Sequence, residues 1–241
     1  MSSTSTKTET VRDLRRLWKP TKERLQRASS EHPLAVRMHR AFSWMSAVER
    51  DDDSSKADEK LVFRWIALNA LYGRWNTCSN EPEADGQSLQ RFMAAIEKLD
   101  QAQLINQCLT EHETLVVSIC SDQFLNSVFW RLLDTDKRFN PNRDKYSIER
   151  LFNEKKWSLI LDELIQRIYL VRCQLVHGAS TYESRLNRET VGNCGAMLNH
   201  LLFKIIRVIT DHGISENWDN LCYPPVNTAP DPTTSHRPKP R

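Results

Sequence analysis

The sequence predicts an all-α protein, an antiparallel up-and-down bundle of about seven helices. Three observations carry that prediction. Glycine is only 6 of 241 residues, far below an ordinary usage of about 7%, which leaves little for the tight turns of a sandwich or barrel. The long segments are filled with Leu, Ala, Glu, Arg, Lys and Gln, all strong helix formers. The links between them are short, so successive helices run antiparallel. The length gives ample chain for a core.

The two ends fall outside that core. Residues 1–10 are rich in Ser and Thr, and 223–241 carries six of the ten prolines from Pro224 onward. Both are expected to be disordered, leaving 11–222 as one helical domain with no internal repeat. The first helix is expected over Val11 to Ala28, bent or restarted at Pro20. The second spans Pro33 to Arg50, with proline at a first-turn position, and the hydrophilic run Asp51-Asp52-Asp53 ends it. The third covers Ala57 to Asn76, the fourth Ser88 to Leu109 and the fifth Thr114 to Asp134. Glu111-His112-Glu113 lies between those last two and opens the fifth. A polar stretch, Asp134 to Lys156, reads as an insertion or mobile loop. The sixth helix runs from Trp157 to His177, closed by Gly178, and the seventh from Arg188 to Asp211, closed by Gly213.

Composition excludes several function classes. Thirty-four basic against 31 acidic residues leave a formal charge of +3, no global nucleic-acid signature. The six cysteines are far apart with no zinc spacing, so they read as reduced thiols in a cytoplasmic protein. The N-terminus lacks the apolar stretch of a signal peptide. No apolar run approaches the roughly 18 residues of a membrane span. Glycine-rich phosphate loops are absent. Cys173 and His177 form an i,i+4 pair able to touch or bind a metal, but no further ligand has suitable spacing, so neither metal nor cofactor is expected. The aromatic positions Trp44, Trp65, Tyr72, Trp130 and Tyr169 read as core.

The informative exception lies on the sixth helix. Leu161, Leu164, Ile165, Ile168 and Leu175 form one apolar stripe, and Arg172 falls in its middle. A guanidinium among aliphatic groups must be paired, or must face a ligand or another subunit. Five residues later comes His177. Arg-x4-His also occurs at Arg27/His32 and Arg207/His212, but Arg207 points away from the stripe of its own helix and Arg27 stands at a helix end. Only Arg172 of the three is core-facing. On a continuous helix, five residues separate the two groups by about 140° and about 7.5 Å of rise. Either the helix unwinds before Gly178, or a second chain supplies the complementary group, and a two-fold interface is the commonest symmetry.

Arg172-Cys-Gln-Leu-Val-His177-Gly178, on the penultimate long helix, resembles the R-x4–6-H signature of the HEPN superfamily. Upstream, Phe63-Arg-Trp-Ile-Ala-Leu-Asn-Ala-Leu-Tyr-Gly73 resembles the aromatic-rich helix of its Apea-like branch, about 100 residues away as in that family. The resemblance covers roughly residues 60–76 and 160–180. It implies a HEPN-like helical domain acting as a metal-independent endoribonuclease, with RNA as substrate, homodimerisation, and a bacterial toxin or antiphage role with an antitoxin or effector partner. Carried over, His177 is the acid/base on the ribose 2′-hydroxyl or the leaving 5′-oxygen. Arg172 stabilises charge on the scissile phosphate, and the product carries a 2′,3′-cyclic phosphate. Histidine exchanges protons near neutrality and arginine forks onto phosphate oxygens, so the chemistry fits these residue types.

One departure is Cys173. The position after the motif arginine is often Asn or Asp in active members, and a thiol is a weaker donor. Gln174 substitutes in part if it faces the site, and Asn69, polar inside an apolar helix, is a further substrate-binding candidate. Two other readings compete. A non-catalytic HEPN module would use the same surface to hold RNA, nucleotide or a partner protein. A helical adaptor would keep Arg172 as a structural ion pair, for instance with an acid on the third or seventh helix, and His177-Gly178 as an ordinary cap.

The first helix is strongly basic. Arg12, Arg15, Arg16, Lys19, Lys22, Arg24 and Arg27 face only Asp13 and Glu23, opposite Leu14, Leu17, Trp18 and Leu25. Such a helix meets RNA phosphates, an acidic membrane surface or an acidic partner, or is a docked helix whose solvated face is basic.

Overall fold

The computed structural model describes residues 9–29, 32–51, 56–132, 139–185 and 187–225. The chain is an all-α bundle in which ten α-helices are found among the described residues, with almost no strand. The expected disorder over 1–8 and from 226 onward, and most of the acidic run after Asp51, lie outside those residues.

Helix α1 (Val11–Ala28) begins with a capping box, in which the Thr10 hydroxyl accepts from the Asp13 backbone and the Asp13 carboxylate accepts from the Thr10 backbone. Two orphan N–H groups are satisfied reciprocally, so Thr10 belongs to the fold rather than to a tail. Pro20 lies inside the helix, which continues unbroken through it. Helix α2 (Pro33–Arg50) starts with proline in its first turn, as expected. Helix α3 (Ala57–Tyr72) stops four residues earlier than predicted. Asn76 instead makes an Asx turn, accepting from Cys78 and Ser79, and β1 (Trp75–Asn76) pairs antiparallel with β2 (Glu81–Pro82).

Three predicted elements need correction. The fourth is two helices, α4 (Asp85–Leu99) and α5 (Leu104–Glu111). Asp100 divides them, its carboxylate accepting from Leu104 and Ile105 N–H at 2.8 Å each, so an acidic side chain caps a new start inside an apparently continuous pattern. The fifth is likewise divided into α6 (Glu113–Ser121), a 3₁₀ turn at Gln123–Leu125 and α7 (Ser127–Leu132). Asp122 breaks it by accepting from Phe124 N–H and from the Thr190 hydroxyl. The polar stretch read as a loop holds α8 (Pro141–Asn153). Asn140 caps it, and Ile148, Leu151 and Phe152 are buried. A charged outer face, with Lys145–Glu149 and Arg150–Glu154 pairs at i,i+4, hid that narrow apolar stripe.

Helices α9 (Trp157–Val176) and α10 (Arg188–His212) complete the bundle. The apolar face of α10 is buried along its whole length, from Val191 to Ile209. It packs on α3 where Gly195 allows close approach, since a Cβ there would meet the Arg64 guanidinium at 3.2 Å. Helix α2 covers the other side of α3, fixed by Arg37. This fully buried arginine donates to the carbonyls of Leu71, Gly73, Trp218 and Asn220 at 2.6–3.1 Å. Arg40 holds the carbonyls of Cys222 and Tyr223, so the segment after α10 is strapped back over α2 and α3. All six cysteines are free thiols, and burial pushes those of Cys108 and Cys120 up to about 11 and about 12. No helix among the described residues is long and apolar enough to cross a membrane.

Candidate active site

Arg172 and His177 occupy the last turns of α9. The helix stays regular to Val176 and ends in a Schellman cap, with Gly178 at φ +71°. Its N–H donates to Leu175 O, and that of Ala179 to Gln174 O. The helix therefore does not unwind before Gly178, and the two motif side chains leave it on different sides. His177 is exposed at the cap. A Cβ at Gly178 would meet nothing within 4 Å, so only the positive φ opposes a larger residue. Gly178→Ala is expected to cost about 1 kcal/mol, read by urea unfolding. A variant as stable as the parent would show that the cap does not depend on glycine.

Arg172 turns inward, as its position in the stripe predicted, and lies on an aromatic seat. Its guanidinium carbon is 5.8 Å from the ring centroids of both Trp65 and Tyr169, a cation–π arrangement that a part-buried site strengthens. The acid beside it is Asp85, in the first turn of α4, at 3.5 Å. That corrects the expected partner, since neither α3 nor α10 supplies it. Asp85 also accepts from the Tyr72 hydroxyl and the Asn69 amide, both at 3.0 Å. Burial first, then Asp85, raise the Tyr72 phenol above its ordinary range.

The arginine is nevertheless under-satisfied. At 3.5 Å the Asp85 contact is longer than a charge-assisted hydrogen bond of about 2.7–2.9 Å. Among the described residues, the other polar contact of the guanidinium is Cys173 Sγ at 3.8 Å, a weak acceptor, and Nε is buried without a partner. The side chain as a whole is 21% exposed, so it is part-buried rather than sealed in the core.

The second-rank candidates divide. Asn69 joins the Arg172 network through Asp85, and Cys173 lies against the guanidinium. Gln174 does not face Arg172. Its amide donates to the Phe124 carbonyl at 2.9 Å, which also receives the Trp130 indole N–H at 2.8 Å. Gln174 thus ties the aromatic turn before α7 to the side of α9 that carries His177, three residues on. Trp130 itself is 45% exposed, which corrects its reading as core. The break at Asp122 lifts α7 off the apolar face that a single long helix would have buried. Trp65 and Tyr72 are core as expected.

Beyond the cap, the chain is pinned to the start of α3. Asp58, 6% exposed, accepts from Glu183 N–H and the Arg188 guanidinium, and the Tyr182 hydroxyl donates to Glu59. Among the described residues, no group of three or more His, Cys, Asp or Glu side chains is placed to hold a metal ion.

Sequence reasoning missed Asp85, for which the local pattern offers no signal, because its role exists only once α4 meets α9. It also missed two buried arginines that the helical period does mark. Arg37 falls between Leu34 and Met38 on one face of α2, and Arg167 between Leu164 and Ile168 on α9. Arg167 pairs with Asp144 at 3.1 Å and Glu163 at 3.4 Å.

No family model matches the chain, and no curated protein or solved structure is significantly similar to it.

Proposed function

We propose that this chain is a metal-independent endoribonuclease of the HEPN type that works as a homodimer. The observation that carries the reading is Arg172, a part-buried cation whose hydrogen-bond set is unfilled among the described residues, on the helix that ends in exposed His177. Buried polar groups ordinarily find partners, and a phosphate oxygen is an acceptor well matched to the N–H fork of a guanidinium.

In this reading His177 takes the proton from a ribose 2′-hydroxyl or returns one to the leaving 5′-oxygen, and Arg172 bears on the charge developing on phosphorus. The 2′-oxygen–phosphorus bond forms as the phosphorus–5′-oxygen bond breaks, leaving a 2′,3′-cyclic phosphate. Because α9 is regular through both residues, this reading requires a second copy, so that Arg172 of one chain and His177 of the other act together across a two-fold axis. A bacterial toxin or antiphage setting in the cytoplasm, with an antitoxin or effector partner, belongs to the same proposal.

The test is incubation with a mixed RNA and tRNA pool in EDTA. Wild type is expected to cut, leaving cyclic-phosphate ends, and His177→Ala to be slower by about 10²–10⁴-fold. Cleavage that survives both His177→Ala and Arg172→Ala sinks the site. A second reading, a non-catalytic module holding RNA, nucleotide or protein, is favoured by the Asp85 carboxylate already beside Arg172. It predicts binding without cleavage by a folded dimer.

A further inference from the structure

The basic helix α1 is docked, and the docking decides what its outer face can meet. Val11, Leu14, Trp18 and Leu25 are buried in the core and, among the described residues, only Leu17 of the apolar side is exposed, so most of what a membrane-binding helix would insert is already spent on the fold. The cations are what remains outside: Arg12, Arg15, Arg16, Lys19, Arg24 and Arg27 are all exposed. The two acids of the helix are engaged, Asp13 in the capping box and with Arg16, Glu23 with Lys19 at 3.8 Å.

Between α1 and α2 this face opens into a groove of about 310 Å³, lined by Arg15, Lys19, Lys22 and His39 above an apolar floor that includes Phe42. Among the described residues, Glu23 is the one carboxylate on it. Arg15 is held in place there, its guanidinium 5.5 Å from the Phe42 ring centroid and bonded to Phe42 O and Ser46 Oγ. No carboxylate neutralises it among the described residues. Cations over a low-dielectric floor focus the field along a groove. Successive turns of an 18-residue helix repeat the charge every 5.4 Å or so over about 27 Å.

We infer that the α1–α2 groove is a docking surface for the phosphate backbone of RNA, engaged by charge without reading bases. The floor aromatics Trp18 and Phe42 are buried, so what the groove presents is its cations, with the exposed imidazole of His39 beside them. The choice of RNA as the polyanion rests on the ribonuclease reading; the cationic groove itself does not.

The test uses full-length His177→Ala protein, so that the probe is not consumed, and a fluorescent 20-nucleotide single-stranded RNA read by anisotropy over a salt series. Adding Lys19→Gln and Lys22→Gln is expected to weaken binding about tenfold near 100 mM salt and to flatten the slope of log affinity against log salt by about 1.4, at about 0.7 per contact on a single strand. Unchanged circular dichroism and thermal midpoint establish that the fold is intact. Affinity and slope equal to the parent overturn the inference, as does Lys19/Lys22-dependent binding to phosphatidylserine vesicles or an acidic polypeptide with none to RNA. If wild type cuts nothing while the groove still binds RNA through Lys19 and Lys22, the ribonuclease reading falls and the groove stands.

Discussion

Arg37→Met is expected to lower the stability of the chain by about 3–5 kcal/mol, the scale set by stripping one side of a buried charged network. Arg37 is 1% exposed, and its fork supplies the donors for carbonyls from two separate places, the end of α3 and residues 218–220. Burial, with Arg74 nearby, pulls its pKa down to about 10, so it remains a cation at neutral pH. Methionine fills part of the volume and removes the desolvation cost of the charge. Asn220 O keeps the Trp75 N–H, but each carbonyl left without a donor costs about 1–3 kcal/mol, and that is the larger effect. A fall in melting temperature on the order of 10 °C follows for a domain of this size. Arg37→Lys keeps the charge without the fork and is expected to fall between. A loss below about 1 kcal/mol in urea unfolding would show that water satisfies those carbonyls as well as the guanidinium does.

Asp85→Ala is expected to cost about 2–4 kcal/mol, because one carboxylate serves Arg172, the Tyr72 hydroxyl and the Asn69 amide. Deleting it leaves Arg172 part-buried beside Trp65 and Tyr169 with no acid. Arg172→Met alone is expected to cost less, since the pair is long and the methionine can lie on the same aromatic seat. In the double variant the two losses add to less than their sum, by about 0.5–3 kcal/mol for groups in one network. The cycle also separates the functional readings. If Arg172 serves a phosphate, Asp85→Asn frees the guanidinium and retains cleavage, while Arg172→Met abolishes it at nearly unchanged stability. Equal losses of stability and activity in every variant would make Arg172 a structural residue.

Much of the fold was legible because the main helices carry their own boundary signals. The approximate bounds expected for the first two helices coincide with Val11–Ala28 and Pro33–Arg50, and Gly178 marks the end of α9 because a left-handed cap favours glycine. The reading failed where one carboxylate ended an otherwise helical pattern. Asp100 and Asp122 are ordinary helix residues by propensity, and only the N–H groups they meet turn them into breaks. Helix α8 failed for the opposite reason, since its three apolar residues are diluted by a charged face whose pairs are local.

The site divides in the same way. That a core-facing Arg172 must have company followed from the cost of burying its charge, a consequence of helical period and solvation that needs no partner to be known. Likewise the basic outer face of α1 and the exposed cap at His177 are set by spacing along one helix. Which groups meet Arg172 was decided by tertiary structure alone: Asp85 arrives from α4, Trp65 from α3, and Gln174 turns instead to the Phe124 carbonyl. Local periodicity determines the direction in which each side chain leaves its own helix. The identity of what it meets depends on the packing of helices far apart in the chain, and no local pattern encodes it.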